Sequence, residues 1–139
     1  MTRLLRLTAL LALTLAAAAP AAAQDASPAG RIKVVSGAAF VVRQGEVIPA
    51  DIGQVVLEYD VLRTGADGRV GITLQDDTRV SLGPNSEMRV SRFIYAPAES
   101  RFSVALQFVH GVAAYVSGRI AKLSPDSVRL ETPAAIIGV

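Results

Sequence analysis

TGADGRVGITLQDDTRVSLGPNSE, Thr64 to Glu87, decides the fold. Asp67, Asp76 and Asp77 stand there among Thr78, Ser81, Asn85 and Ser86. They either gather as a carboxylate site or mark the turns between strands. The apolar residues choose between these readings. Val70, Ile72 and Leu74 alternate with Arg69, Gly71, Thr73 and Gln75, and Val80 and Leu82 alternate with Arg79, Ser81 and Gly83. A period of two sends one set of side chains inward and leaves the other in solvent, as in an antiparallel sheet with one wet face. The aspartates fall in the breaks of that pattern. Asp67-Gly68 reads as a hairpin turn supplying a positive-φ pair. Asp76-Asp77 reads as the next reversal, and Gly83-Pro84-Asn85-Ser86 as a third. Asp67 and Asp77 end one strand on opposite sides, roughly 20 Å apart at ~3.3 Å per residue, too far to share a metal. Asp76 and Asp77 are adjacent, but the cage of about six to eight oxygens that calcium needs is not encoded around them. The stretch is strands and turns.

The same pattern spreads in both directions. RIKVVSG, AAFVVRQ, VVLEYDVLRT, SEMRVSRFIYA, SRFSVALQFV, GVAAYVSG and SVRLET are further candidate strands, with turn signals at Gly45, Gly53, APAES and SPDS. No 3.6-residue period is sustained after the leader, so no helix is expected. Many short strands at this spacing predict a single all-β domain, an antiparallel β-sandwich or β-roll.

The chain opens MTRLLRLTALLALTLAAAAPAAAQDA. Arg3 and Arg6 give a positive start, Leu4 to Ala19 is an apolar run with no charge after Arg6, and Ala21-Ala22-Ala23 offers small residues for cleavage. Residues 1–23 thus read as a cleavable signal peptide, with the cut between Ala23 and Gln24. Residues 24–30 read as a flexible lead-in and residues 31–139 as the β domain. The expected address is the periplasm or the exterior, with no stable membrane span once the leader is gone. There is no cysteine, which excludes disulfides and attachment of lipid through an N-terminal cysteine. Lys and Arg number 14 against 12 Asp and Glu; loss of Arg3 and Arg6 makes the balance even. Such a chain lacks the basic excess of a nucleic-acid-binding surface, and nucleic acid is not an expected partner.

Sites read weakly. His110 is the sole histidine, beside Gly111, and fits a turn or rim position better than a general base. With one histidine and no cysteine a zinc centre lacks ligands. No serine sits in a Gly-x-Ser-x-Gly setting. Glu58, between Leu57 and Tyr59, has the most apolar context of the acids, yet alternation makes it a solvent-facing strand residue. No catalytic residue, metal ligand or cofactor is expected. RVSRFIY and SRFSVALQF place Arg89, Arg92 and Arg101 among Phe93, Tyr95, Phe102 and Phe108. Arg outside and Phe inside satisfies an antiparallel pair. If they face outward together, Arg89, Arg92, Tyr95 and Arg101 form a candidate partner-binding surface.

At this point the chain resembles the FecR-like periplasmic domain family. The resemblance rests on VLRTGADGRVGITLQDDTRVSLGPNSEMRV. Thr64-Gly65, Asp67-Gly68, Asp76-Asp77-Thr78 and Leu82-Gly83-Pro84-Asn85-Ser86 stand where that family has its Thr-Gly, Asp-Gly, Asp-Gly-Ser-like and Leu-x-Pro-x-Ser elements. Gly37, Gly53, LQFVHGVAAYV and VRLETPAAIIGV extend it over Gly30 to Val139. Asp77 departs from the pattern, standing where glycine is usual. The resemblance implies an exported, non-catalytic binding or signalling module that recognises another envelope protein by surface contact, with strand addition to an exposed edge as one mode. A module that binds peptidoglycan or another cell-wall polysaccharide is the alternative, weakened by the absence of Trp. The sigma-factor role of the founding member is not carried over, because a cleavable leader replaces its cytoplasmic segment and membrane span. Family members also continue past Val139 with a closing strand, so a missing C-terminal strand and an open edge are expected here.

Overall fold

The structure, a computed structural model, describes residues 26–132 and the backbone of 136–138. The expected leader, residues 1–23, and its expected cleavage site lie outside the described residues. In chain order the strands are β1 (Pro28–Ser36), β2 (Ala39–Arg43), β3 (Glu46–Pro49), β4 (Val55–Leu57), β5 (Val61–Thr64), β6 (Arg69–Leu74), β7 (Arg79–Leu82), β8 (Glu87–Ala96), β9 (Arg101–His110), β10 (Val112–Val116), β11 (Val128–Glu131) and β12 (Ile136–Gly138). They form two six-stranded sheets. The first runs β12-β10-β7-β6-β1-β4 and the second β11-β9-β8-β5-β2-β3. This is the all-β sandwich that the alternation predicts. Its filling comes from both inner faces: Ile32, Val56, Val70, Ile72, Leu74, Val80 and Leu82 from the first sheet meet Val41, Leu62, Met88, Val90, Phe93, Val104, Leu106 and Phe108 from the second. Each such side chain contributes about 1.5–3 kcal/mol by leaving water.

The sheets are not purely antiparallel. β11 lies parallel to β9, and β12 parallel to β10. After β9 passes to β10 across the sandwich, the chain repeats that step one strand further out. The connection includes a short helix, α1 (Arg119–Leu123), where no helix was expected. At five residues it is too brief to show a helical period. β1 begins at Pro28, inside the expected lead-in, with Ala29 fully buried. VVLEYDVLRT, read as one strand, is two strands in different sheets, β4 and β5, separated by a turn at Leu57–Asp60. Glu46–Pro49, absent from the expected strands, forms a hairpin with β2.

The turns of the opening stretch differ from expectation in an informative way. Only QDDT joins neighbours in one sheet, β6 to β7. TGADG carries the chain from β5 in the second sheet to β6 in the first, and GPNS carries it back from β7 to β8. Asp67-Gly68 is therefore a corner, not a hairpin, and neither residue has positive φ. Gly68 N–H donates to Gly65 O at 3.0 Å, and the Asp67 carboxylate accepts from Ala38 N at 3.2 Å. Gly68 is required for closeness: a Cβ there would collide with Ala38 O. The two corners clasp each other. Thr64 Oγ1 donates to Gly83 O at 2.6 Å and accepts from Ser86 N at 2.9 Å, while Asn85 N donates to Gly65 O at 2.9 Å. The Thr-Gly and Pro-x-Ser elements are thus the fastener at one end of the sandwich.

Candidate functional site

Arg89 and Arg92 lie on the outer face of β8, and Arg101 on the outer face of β9, because the inward positions between them are taken by Val90, Phe93, Val104 and Leu106. A bulge between Val90 and Arg92 inserts Ser91 and lets both arginines face outward despite their odd spacing. β11 adds Arg129. Arg92 and Arg129 both pair with Ala105 of β9, one from each side. At ~4.8 Å per strand their Cα atoms are roughly 10 Å apart. Arg101 sits four residues along β9 from that row, roughly 13 Å away. Between these three, β9 presents only Ser103 and Ala105. Small residues between long ones make a trough of about 500 Å³, walled by Arg92, Ile94, Arg101 and Arg129 and rimmed by Asp126.

The charges on this face are poorly balanced. Arg63 on β5 is paired with Glu87 at 3.0 Å, and Arg101 reaches Glu99 at 3.6 Å. Arg89, Arg92 and Arg129 have no ion-pair partner among the described residues. Tyr95 does not join them. It is half-buried on the inner face, its ring 6.1 Å from that of Phe102. The structure therefore brings Arg89, Arg92 and Arg101 to one surface and turns Tyr95 away from it.

A different tyrosine is exposed nearby. Asp60 N donates to Leu57 O, closing a turn in which Tyr59 occupies the third position with φ +73°. That position ordinarily takes glycine, and for a bulky residue positive φ is strained. The residue is 54% exposed, so burial does not offset the strain. Tyr59 N donates to Val90 O at 2.7 Å, which fixes it beside the β8 bulge. The adjacent Glu58 raises its phenol pKa, first by hydrogen bonding and then by charge, against the lesser opposing pull of Arg92 and Arg89. Sequence reading missed Tyr59 because it stands inside what looks like a continuous strand. Tyr59→Gly is expected to stabilise the fold by about 1 kcal/mol, seen as a higher urea midpoint. A lower midpoint would show that the ring contributes packing that outweighs the strain.

The remaining candidates resolve as architecture. Glu58, expected in solvent, is half-buried and accepts Phe93 N at 2.8 Å, bridging the bulge. His110 is on the rim, with Nδ1 2.8 Å from Asn85 O and Nε2 3.4 Å from Glu87 Oε2. Ser86 is close in sequence to Glu87, yet its hydroxyl is buried against Pro84 O and Val112 O and accepts from Val112 N. Such a serine cannot meet a substrate. Asp76 and Asp77 point apart. Asp76 is fully buried, whereas Asp77 adopts φ +67° at the turn and meets Arg119 Nε at 3.2 Å. No group of three His, Asp or Glu able to hold a metal occurs among the described residues.

The model of the family described as FecR protein matches residues 60–139, more than half of the chain. The match starts at Asp60, so β1 to β4 precede it, although they complete both sheets. No curated protein and no solved structure matches the chain.

Proposed function

The chain belongs to the FecR protein family, and from that premise we propose that it is an exported, non-catalytic binding and signal-transduction module of the bacterial envelope. It acts by contact with another envelope protein. FecR proteins are in general regulatory and associated with the envelope. The observation that carries the reading in this chain is the outer face of the second sheet, where Arg89, Arg92 and Arg129 stand without ion-pair partners among the described residues. Arg129 lies on β11, the edge strand of that sheet among the described residues, and the outer backbone of such an edge is where strand addition occurs. Among the described residues no helix is long and apolar enough to cross a membrane. One observation favours the polysaccharide-binding alternative: the exposed ring of Tyr59 beside Arg92 is a surface on which a sugar can stack.

Two measurements decide. Purified protein is spun with isolated cell-wall sacculi at low and high salt, and cells are crosslinked in the periplasm. The protein-contact reading expects the chain to stay in the supernatant at high salt and to crosslink to a discrete envelope protein. Pelleting with sacculi that survives high salt, and that Tyr59→Gly abolishes, would replace it with the wall module.

A further inference from the structure

We infer that the trough along β9 binds an extended, acidic segment of a partner protein; the inference rests on the protein-contact reading above. The trough follows one strand, with Ser103 and Ala105 outward as its floor, and its walls are the side chains of the flanking strands β8 and β11. Guanidinium groups stand at both ends, Arg101 at one and the Arg92–Arg129 row at the other. A peptide in β conformation repeats a given face every two residues. Its carboxylates at positions four apart are therefore separated by roughly 13 Å, the distance between those ends. Arginine's planar fork holds a carboxylate through two parallel hydrogen bonds. Ile94 and Ala105 give an apolar strip for the residues between. Nothing in the trough suits a sugar face, since the Phe102 ring packs inward on Tyr95. Two acids lie at the rim: Glu99, already near Arg101 and exposed with it, and Asp126. Partner carboxylates displace the first and leave the second at the margin.

The test is fluorescence anisotropy with a labelled peptide of alternating Glu and Thr, titrated with the full mature chain at low ionic strength. Arg92→Ser, Arg101→Ser and Arg129→Ser are combined in one variant. A second variant carries Arg31→Ser, Arg69→Ser and Arg79→Ser, an equal loss of charge on the outer face of the first sheet. Melting curves confirm that both fold. The inference expects the trough variant to weaken binding by about tenfold or more and the control by less than about twofold, with added salt weakening the wild type. Equal losses in the two variants would reduce the effect to net charge and overturn it. So would an unmodified chain that ignores the peptide but binds polygalacturonate or phosphatidylglycerol vesicles. Failure with the peptide while the periplasmic crosslink persists sinks this inference alone. Loss of the crosslink sinks the protein-contact reading beneath it.

Discussion

Replacing Asp76 with alanine lowers the stability of the domain by about 3 kcal/mol, one of the two strongest effects expected from this structure. The side chain is 0% exposed and wholly committed to the protein. Oδ1 accepts from Thr78 N at 3.2 Å; Oδ2 accepts from Thr78 Oγ1 at 2.8 Å and from Ile120 N at 3.2 Å. The backbone oxygen of Asp76 accepts Arg119 N at 2.7 Å. The β6–β7 turn therefore satisfies the free N–H groups at the start of α1, whose own flanking residue, Gly118, has no side chain to do so. Gly118 fits only because it lacks a Cβ, which would collide with Asp76 O and Thr78 N. Alanine at position 76 leaves Thr78 N and Ile120 N unpaired in a site closed to water, at about 1–3 kcal/mol each, offset by the removal of a buried polar group. With a urea slope of about 1–3 kcal/mol/M, the midpoint falls by about 1–3 M. Asp76→Asn keeps one acceptor oxygen and is expected to lose about half as much. An unchanged midpoint for Asp76→Ala would move the anchoring of α1 to the buried Ile120 side chain alone.

What the sequence reveals and what it hides divide along a physical line. Alternation in GRVGITLQ and TRVSLG reports which residues face the core, because that depends on the strand's own period. It says nothing about which strands are neighbours. Hence the sandwich was legible, while the crossing of TGADG and GPNS between sheets was not; a corner and a hairpin use the same turn residues. Asp76 looked like one more turn aspartate because its partner Ile120 is 44 residues away. Tyr59 was hidden for the opposite reason. The turn at Leu57–Asp60 lacks the glycine that would announce it, so β4 and β5 ran together as one strand. Of the candidate surface, alternation separates Arg92 from Phe93 and Tyr95, but the same parity would place Arg89 with Phe93. The bulge at Ser91, which no residue pattern announces, is what brings Arg89 to the face of Arg92.

Arg43 and Asp60 should show the second large effect, and the two single variants should differ. Arg43 Nε and Nη2 donate to the two carboxylate oxygens of Asp60 at 2.9 and 2.8 Å, a bidentate fork. Nη2 also donates to Val55 O at 3.0 Å, and Asp60 Oδ2 accepts Leu57 N at 2.8 Å. One ion pair thus ties β2 of the second sheet to β4 of the first and shapes the turn that presents Tyr59. The exposures of the side chains are unequal, 31% for Arg43 and 2% for Asp60. Arg43→Ala strands the carboxylate in a site water does not reach and is expected to cost about 3–4 kcal/mol. Asp60→Ala leaves a guanidinium that can turn partly into solvent, at a cost nearer about 2 kcal/mol, mostly from the orphaned Leu57 N–H. The double variant should be less damaging than the sum by about 1–2 kcal/mol, because the stranded charge no longer exists. Urea midpoints for the four proteins of this cycle measure all three quantities. If the two single losses were equal and additive, the fork would be acting as two independent side chains, and the joining of the sheets would rest on packing alone.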